Sequence, residues 1–380
     1  MNLLKKLRGL FLADNYFYFV FIPFLTLIFI IMMLLMCYPS VASAGVKNGV
    51  EICLNMLIPS LFPFMFFSSI ISNTVPFNFK SKGIRRLTRF VFGLPGESLP
   101  IIIMSLIGGF PVGAYLVKDA YEDGRLSSRE GKRMLLFCVN PGLAFSFSML
   151  GNTLFSSSRI GLIIFAVSVI SSVFLGILAR FFEEGEDYQK NRAGTSEHIH
   201  ISKIAADTMN NCIRSMVTVC VWVIIFSCIS SLVEALPLAK GTSDFLNMIS
   251  EVTNGSIVAK NDYSFPVLCG VVGFGGFCIH MQIMPALTKL KLKYKYFFCS
   301  RILCCAMNSV LAFFFMKIFP LETEVSVLTE KPQKAAVFSS VPLCVFLMIM
   351  CGLFVLGDGY TVWKKQKNVS GKVVNKPQLY

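Results

Sequence analysis

Four short stretches of this chain place polar or helix-breaking residues inside otherwise apolar sequence, and any chemistry has to be sought there. The first is Gly108-Gly109-Phe110-Pro111-Val112-Gly113. Proline suits the first turn of a helix, where its missing N–H leaves no bond unmade, and the glycines let the backbone turn. A half-helix starting near Pro111 would aim its positive end inward and offer free N–H groups to an anion. The plainer reading of Gly109, Pro111 and Gly113 is a kink for close helix packing. The second stretch is Asn140-Pro141-Gly142. Pro141 frees the carbonyl four residues earlier, and Asn140 offers a donor and an acceptor either to a ligand or to that carbonyl.

The third stretch, Glu251-Val252-Thr253-Asn254-Gly255, combines a carboxylate, a hydroxyl, an amide and a helix-stopping glycine. At membrane depth an ionised Glu251 costs ~2.5–3.5 kcal/mol unless paired, which points to cation coupling, proton carriage or ligand contact. Outside the bilayer it is a surface acid. The fourth, Gly275-Gly276-Phe277-Cys278-Ile279-His280-Met281-Gln282, carries His280 and Gln282 two residues apart. They face one side of an unwound run and diverge by ~200° on a helix. His280 is either a packed hydrogen-bond partner or a proton-linked group.

No catalytic constellation accompanies these groups. Gly-x-Ser-x-Gly, Walker and His-Glu-x-x-His patterns are missing, and the chain has only 3 His, so an enzyme with a soluble active site is not expected. His198 and His200 have no third ligand nearby, so neither a metal nor a cofactor is expected.

The elements that must position these residues are membrane helices. Of 380 residues, 55% are hydrophobic and 15% charged, against about 25% charged in soluble domains, and mean hydropathy is +0.68. Residues 16–38 hold no charge and as a helix reach ~34 Å, enough for a ~30 Å hydrocarbon core. Similar blocks lie near 49–75, 134–152, 160–180, 215–233, 264–287, 296–318 and 337–357. The expected fold is therefore all-α: a polytopic membrane bundle of about eight spans plus re-entrant or broken segments, in two weakly related halves.

The net charge of +14 comes from Lys and Arg runs between the apolar blocks, where the positive-inside rule expects them. Lys5, Lys6 and Arg8 precede the first block. Lys80, Lys82, Arg85, Arg86 and Arg89 follow the second. Lys289, Lys291, Lys293, Lys295 and Arg301 form a third run, and Lys364, Lys365 and Lys367 end the last block. They set topology, with the N-terminus cytoplasmic in a multi-pass membrane protein, and make nucleic acid an unexpected partner. The 13 Cys are scattered through apolar blocks without a C-x-x-C pair and act as packing residues. Ala42-Ser43-Ala44 imitates a signal-peptidase site, but the apolar region before it is too long for a signal peptide, so 16–38 is expected to stay as a span.

The charges place 39–48 outside and the cluster at 80–89 inside. Segment 98–117 then has basic flanks at both ends, Lys118, Arg125, Arg129, Lys132 and Arg133 following it, so it is expected to dip in and return. Backbone turning at depth must be sheltered by protein or by a wet cavity. The expected organisation of the single membrane domain 1–380 is an N-terminal span in 1–44, a first half at 45–180, a polar cytoplasmic linker at 181–207, a second half at 208–357 and a basic tail at 358–380. Glycine-broken segments at corresponding places in two halves point to a transporter site; 264–287 is read as the counterpart of 98–117. An inverted repeat would make 264–287 re-entrant, whereas the basic tail favours a full crossing, and the charges are followed.

The run GGFPVGAYLVKDAYEDGRLSSREGKRMLLFCVNPG (108–142), preceded by NMLIPSLFPFMFFSSII (55–71), resembles the YlbJ-type sporulation integral membrane proteins of the wider nucleoside-recognition, or gate-domain, group. Against the family's Ser-Gly-Tyr-Pro-x-Gly-Ala-Lys and Phe-Thr-Asn-x-Gly-Pro, the matching residues are Gly109, Pro111, Gly113, Ala114, Phe137, Asn140 and Gly142. Gly108, Phe110 and Tyr115 stand where the family has Ser, Tyr and Lys. EVTNG and GGFCIHMQ resemble the family's Glu-Met-Thr-x-Gly and Gly-Gly-x-x-Ile-His-x-Gln. The resemblance implies a gate-like fold and movement of dipicolinate, a flat dianion, across a membrane of a sporulating bacterium. It implies a small-anion site built from Gly109, Pro111, Gly113, Asn140, Gly142, Glu251, Thr253, Asn254, Gly275, Gly276, His280 and Gln282. The expected partners are that anion and the lipid bilayer, with a second copy of the chain left open. The alternatives are another solute such as a nucleoside, or a non-transporting spore-envelope assembly protein.

Overall fold

The computed structural model describes residues 22–74, 82–182 and 201–318, and every regular element among them is a helix. Ile22–Cys37 (α1) turns through 104° at Tyr38 into Pro39–Ile52 (α2), which passes through a widened π turn, Cys53–Leu57, into Ile58–Thr74 (α3). Lys82–Phe92 (α4) is basic and short. Leu99–Gly108 (α5) and Val112–Glu122 (α6) flank Gly109-Phe110-Pro111, and Ser128–Leu135 (α7) precedes an irregular stretch that ends in the π-helix Ala144–Leu154. Ser158–Ala179 (α8) closes the first half. The second half follows with Ile201–Ala235 (α9), Lys240–Ser250 (α10), Val252–Asp262 (α11), Phe265–Phe274 (α12), Gly276–Leu290 (α13) and Tyr294–Ile318 (α14).

Four stretches among the described residues are long and apolar enough to cross a membrane: Ser158–Ala179, Thr208–Ala235, Phe265–Lys289 and Tyr294–Ile318; a fifth is gained if the bent pair α1–α2 counts as one. Fewer crossings are thus seen than the eight apolar blocks suggest. Block 134–152 is not one helix: it is interrupted between α7 and the π-helix. The block at 337–357, residues 1–21 with Lys5, Lys6 and Arg8, and the tail with Lys364, Lys365 and Lys367 lie outside the described residues. So do 183–200, with His198 and His200.

Residues 39–48 are not an external loop; they open α2 and pack on α9. A Cβ on Gly45 would sit 2.8 Å from the Cys228 Cα, and one on Gly49 2.8 Å from the Ile224 Cα. Small residues four apart let membrane helices meet backbone to backbone. The pairs 45/228 and 49/224 run in opposite senses, so α2–α3 and α9 are antiparallel. Within the proposed linker, 201–207 are helical and form the start of α9, ahead of the apolar stretch that opens at Thr208.

Two helical hairpins dominate the interior. In the first, Gly113 of α6 faces Ser105 of α5, a Cβ on the glycine lying 2.8 Å from the Ser105 Cβ. Residues eight apart in sequence are ~12 Å apart along one helix, so the chain has doubled back at Gly109-Phe110-Pro111, as the flanking charges predict. In the second, Gly255 of α11 faces Met248 of α10, at 2.8 Å from its Cα. Lys240 and Asp262 close the open end with an ion pair of 2.6 Å, and Tyr263 Oη donates to Asp244 at 3.3 Å. The hairpin turn is at Glu251. Eleven residues per arm reach ~16 Å, about half a hydrocarbon core.

The hairpins start from opposite ends of the bundle. Glu122, at the base of the first, pairs with Lys289 at the end of α13 at 2.8 Å. Arg180, at the end of α8, donates to the Phe90 carbonyl of α4. This is the basic end. The base of the second hairpin lies at the other end, where Lys260 donates to the Leu154 carbonyl and Phe155 meets Phe265. Each half therefore runs crossing helix, half-depth hairpin, broken helix, straight helix. The counterpart of 98–117 is α10–α11 rather than 264–287; the latter crosses as α12–α13 and corresponds to the broken stretch 128–154. That removes the conflict between an inverted arrangement and the basic tail, since the re-entrant element and the crossing element are different segments.

Candidate functional site

At the first hairpin turn the backbone is laid across the break in the helix that follows. Gly109 adopts φ +75°, and Phe110 N–H donates to the Asn140 carbonyl at 2.7 Å. A Cβ on Gly109 would overlap the Gly142 backbone, and one on Gly142 would lie 2.6 Å from the Gly108 carbonyl. Gly113 leaves no room for a methyl group against the Cys138 carbonyl. Gly109, Gly113 and Gly142 are thus required by one crossing of two chain breaks, and Pro111 caps α6 immediately beside it.

The break itself is held from the other half. Arg301 of α14 is 2% exposed, donates Nη2 to the Leu136 carbonyl at 2.7 Å and Nη1 to the Val139 carbonyl, and stands over the Phe297 ring. The sequence reading assigned Arg301 to a basic topological run; the structure corrects this, because the residue is sealed inside the bundle. Arg133 is likewise no loop charge: from α7 it donates to the Phe92, Gly93 and Ala179 carbonyls. Both arginines satisfy carbonyls that broken helices cannot. Asn140 does not pair with the carbonyl freed by Pro141. Its Nδ2 reaches only the Pro141 carbonyl at 3.4 Å, and its buried Oδ1 has no partner.

At the second turn Glu251 is 1% exposed, so it is no surface acid. Its carboxylate caps α11, accepting from Thr253 N–H at 2.9 Å and Asn254 N–H at 2.8 Å. That occupies the helix N-terminus that an anionic ligand would otherwise use. Gly276 packs directly on this turn, a Cβ there lying 3.0 Å from Val252 N and 3.1 Å from the Glu251 Cα, with φ +71°. Gly275, at φ +84°, ends α12 in the left-handed conformation that glycine adopts without a steric cost. Both hairpin turns therefore rest on a helix break, and EVTNG and GGFCIHMQ are brought together as one unit.

α13 is helical through 276–290, so His280 and Gln282 diverge. His280 sits among Phe274, Phe277, Phe297, Phe298 and Tyr294, with centroids 4.8–6.1 Å away. Its Nε2 faces the Phe274 carbonyl at 3.3 Å and its Nδ1 the Tyr294 hydroxyl at 2.9 Å. A carbonyl only accepts, so Nε2 carries the proton and Nδ1 accepts from Tyr294. The imidazole thereby satisfies the last carbonyl of α12. Gln282 turns the other way: its side-chain Nε2 contacts Cys278 Sγ at 3.2 Å, while the backbone carbonyl of Gln282 accepts from Tyr115 Oη of α6 at 2.9 Å. Tyr115, where the family has Lys, is a direct link between the halves.

Several buried polar atoms at these breaks have no partner among the described residues: Asn140 Oδ1, Gln282 Oε1, Arg301 Nε, Ser146 Oγ and both side-chain atoms of Asn308. Asn308 lies against Gly273, one helical residue before the break. Asn308 was not singled out in the sequence and Arg301 only as part of a basic run, although a charge or amide inside the apolar block 296–318 is the kind of intramembrane group that signals function. Two hollows lined by described residues open at the surface instead, one along α1 and one beside Trp222, Met281 and Lys289.

Fold and site together define a polytopic all-α membrane protein in which two opposed half-depth hairpins meet two broken helices. The chain is similar to the sporulation integral membrane protein YlbJ of Bacillus subtilis (strain 168), 22% identical over 307 residues that cover 70% of this chain and 75% of the relative. This supports the YlbJ-type family that the motifs resemble and is consistent with a membrane protein of sporulation. No family model matches the chain, and no solved structure does.

Proposed function

We propose that this chain is a transporter or channel for a small organic anion, and that the anion is dipicolinate moving during sporulation, as the YlbJ-type resemblance implies. The observation that carries the reading is the pairing of the hairpin turns with helix breaks: two chain reversals at membrane depth, from opposite ends, surrounded by unpartnered polar atoms. Backbone of that kind is tolerated in a membrane where protein buries it or where it lines a solute path.

In this reading the arrangement is a closed one, and passage requires the turns to part from the breaks beneath them. The acidic turn at Glu251 repels an anion and suits a coupling cation or proton; the first crossing, at Asn140 and Arg301, is the side that receives the anion. The chain acts as no enzyme, the basic end faces the cytoplasm, the N-terminus lies on that side, and the partners are the solute and the bilayer rather than nucleic acid. A second reading, a non-transporting envelope-assembly protein, is favoured by the close packing at both crossings.

Deleting the gene in its spore-forming host separates the two. Spores without the protein are expected to contain less than about a tenth of the normal dipicolinate while still building an envelope. Normal dipicolinate content removes the anion reading.

A further inference from the structure

Arg301 has a charge that no carboxylate among the described residues balances. A guanidinium stays protonated in a protein, and taking it out of water costs several kcal/mol unless it is paired. Arg301 is 2% exposed, and among the described residues its contacts are two neutral carbonyls and an aromatic face. Among the described residues the electrostatic neighbours of the group are His280, Cys138 and Cys304, not a carboxylate. Of its five N–H groups two are used, and Nε, which forms one side of the fork that grips carboxylates, has no acceptor.

Its position adds a second point. Arg301 belongs to the second half, whereas Leu136 and Val139 belong to the break that carries Asn140. Asn140 Oδ1 is buried and unpartnered one residue from a carbonyl that Arg301 holds. The first hairpin turn rests on the same five-residue stretch through Phe110 N–H. A fixed cation and both halves meet there, at the place the turn must leave if a path is to open.

We propose that Arg301 is the counter-charge of a carboxylate site at this crossing, with the Leu136 and Val139 carbonyl oxygens holding the guanidinium while the site is empty. A carboxylate-bearing solute takes their place, its oxygens accepting from Nε and Nη in the bidentate geometry that guanidinium and carboxylate share. Releasing the two carbonyls frees the break on which the hairpin turn rests, so binding and opening are linked through one side chain. The inference rests on the anion reading above and assigns that anion its cationic partner.

The test uses full-length protein in nanodiscs, with dipicolinate as the probe and its neutral dimethyl ester as control. The wild type is expected to bind the dianion at least about tenfold more tightly than the ester. Arg301→Gln is expected to lose that preference, Arg301→Lys to keep a weakened part of it, and Arg86→Gln, on exposed α4, to leave it unchanged. Equal binding of dianion and ester by the wild type overturns the proposal without needing a variant that folds. A folded Arg301→Gln protein that still prefers the dianion overturns it too and limits Arg301 to holding the carbonyls. Flux in liposomes separates this from the transport reading. Flux that does not depend on Arg301 removes the site and keeps transport, whereas Arg301-dependent binding without flux keeps the site and removes transport.

Discussion

Gly113→Ala is expected to cost about 3 kcal/mol or more and to abolish function, although it adds one methyl group. The Cβ would overlap the Cys138 carbonyl and press on Ser105 at 2.8 Å. The first of these is backbone, in a stretch already held by Arg301 and by Phe110 N–H, so it has nowhere to move. Gly109→Ala meets the Gly142 backbone in the same way and adds the left-handed strain of φ +75°, roughly 1–2 kcal/mol more. Gly241→Ala is the matched control: nothing lies within 4 Å of its Cβ position, and in a helix the change is stabilising by about 0.5–1 kcal/mol. Melting of the three purified variants in detergent measures the contrast. A Gly113→Ala protein as stable as Gly241→Ala would show that the hairpin turn does not rest on 138–142.

Glu251 yields the second large effect, because the proposed function adds a coupling role to its observed capping of α11. Glu251→Ala removes a cap, worth ~0.5–2 kcal/mol, and leaves the N–H groups of Thr253 and Asn254 without their acceptor, at ~1–3 kcal/mol for a buried donor. Thermal melting is expected to show a loss of roughly 2–4 kcal/mol. Glu251→Gln retains a carbonyl oxygen of the same reach and is expected to lose only about 1 kcal/mol but to stop transport, since an amide carries neither charge nor exchangeable coupling proton. Unchanged transport by Glu251→Gln would confine Glu251 to capping α11.

How much of this was legible in the sequence depends on whether a residue's role is local. The hairpin at 98–122 was readable because basic residues flank it at both ends and Gly-Gly-x-Pro interrupts it, and the Ser127-x-x-Glu130 capping box at the start of α7 is a local signature that the structure realises in full. The charges correctly made 264–287 a full crossing, but the second hairpin, α10–α11, went unread. Its arms are polar and short, and the apolar, glycine-broken 264–287 gave the stronger signal. The all-α membrane character followed from composition, and the similarity to YlbJ from the motifs.

The roles of Arg301 and Arg133 were out of reach for a different reason. In sequence each lies beside other basic residues, and only the tertiary fold reveals that their guanidinium groups fill the carbonyl ends of helices from 40 to 165 residues away. His280 and Gln282 depended on a question of backbone: once 276–290 proved helical they had to part, one to an aromatic cage and one to the interface with α6. The glycines at 109, 142 and 276 were picked out in the sequence as site residues, and the structure gives each a close backbone approach to fill. Their partners, each the backbone of another break, could not be named from spacing.

The most direct measurement is dipicolinate entry into liposomes containing the purified chain, read by luminescence of encapsulated Tb3+ as it is chelated. The account predicts entry well above that of protein-free liposomes, and its loss in the Pro111→Ala/Asn140→Leu double variant, which still inserts and folds. Entry at the protein-free rate for the wild-type chain would contradict it.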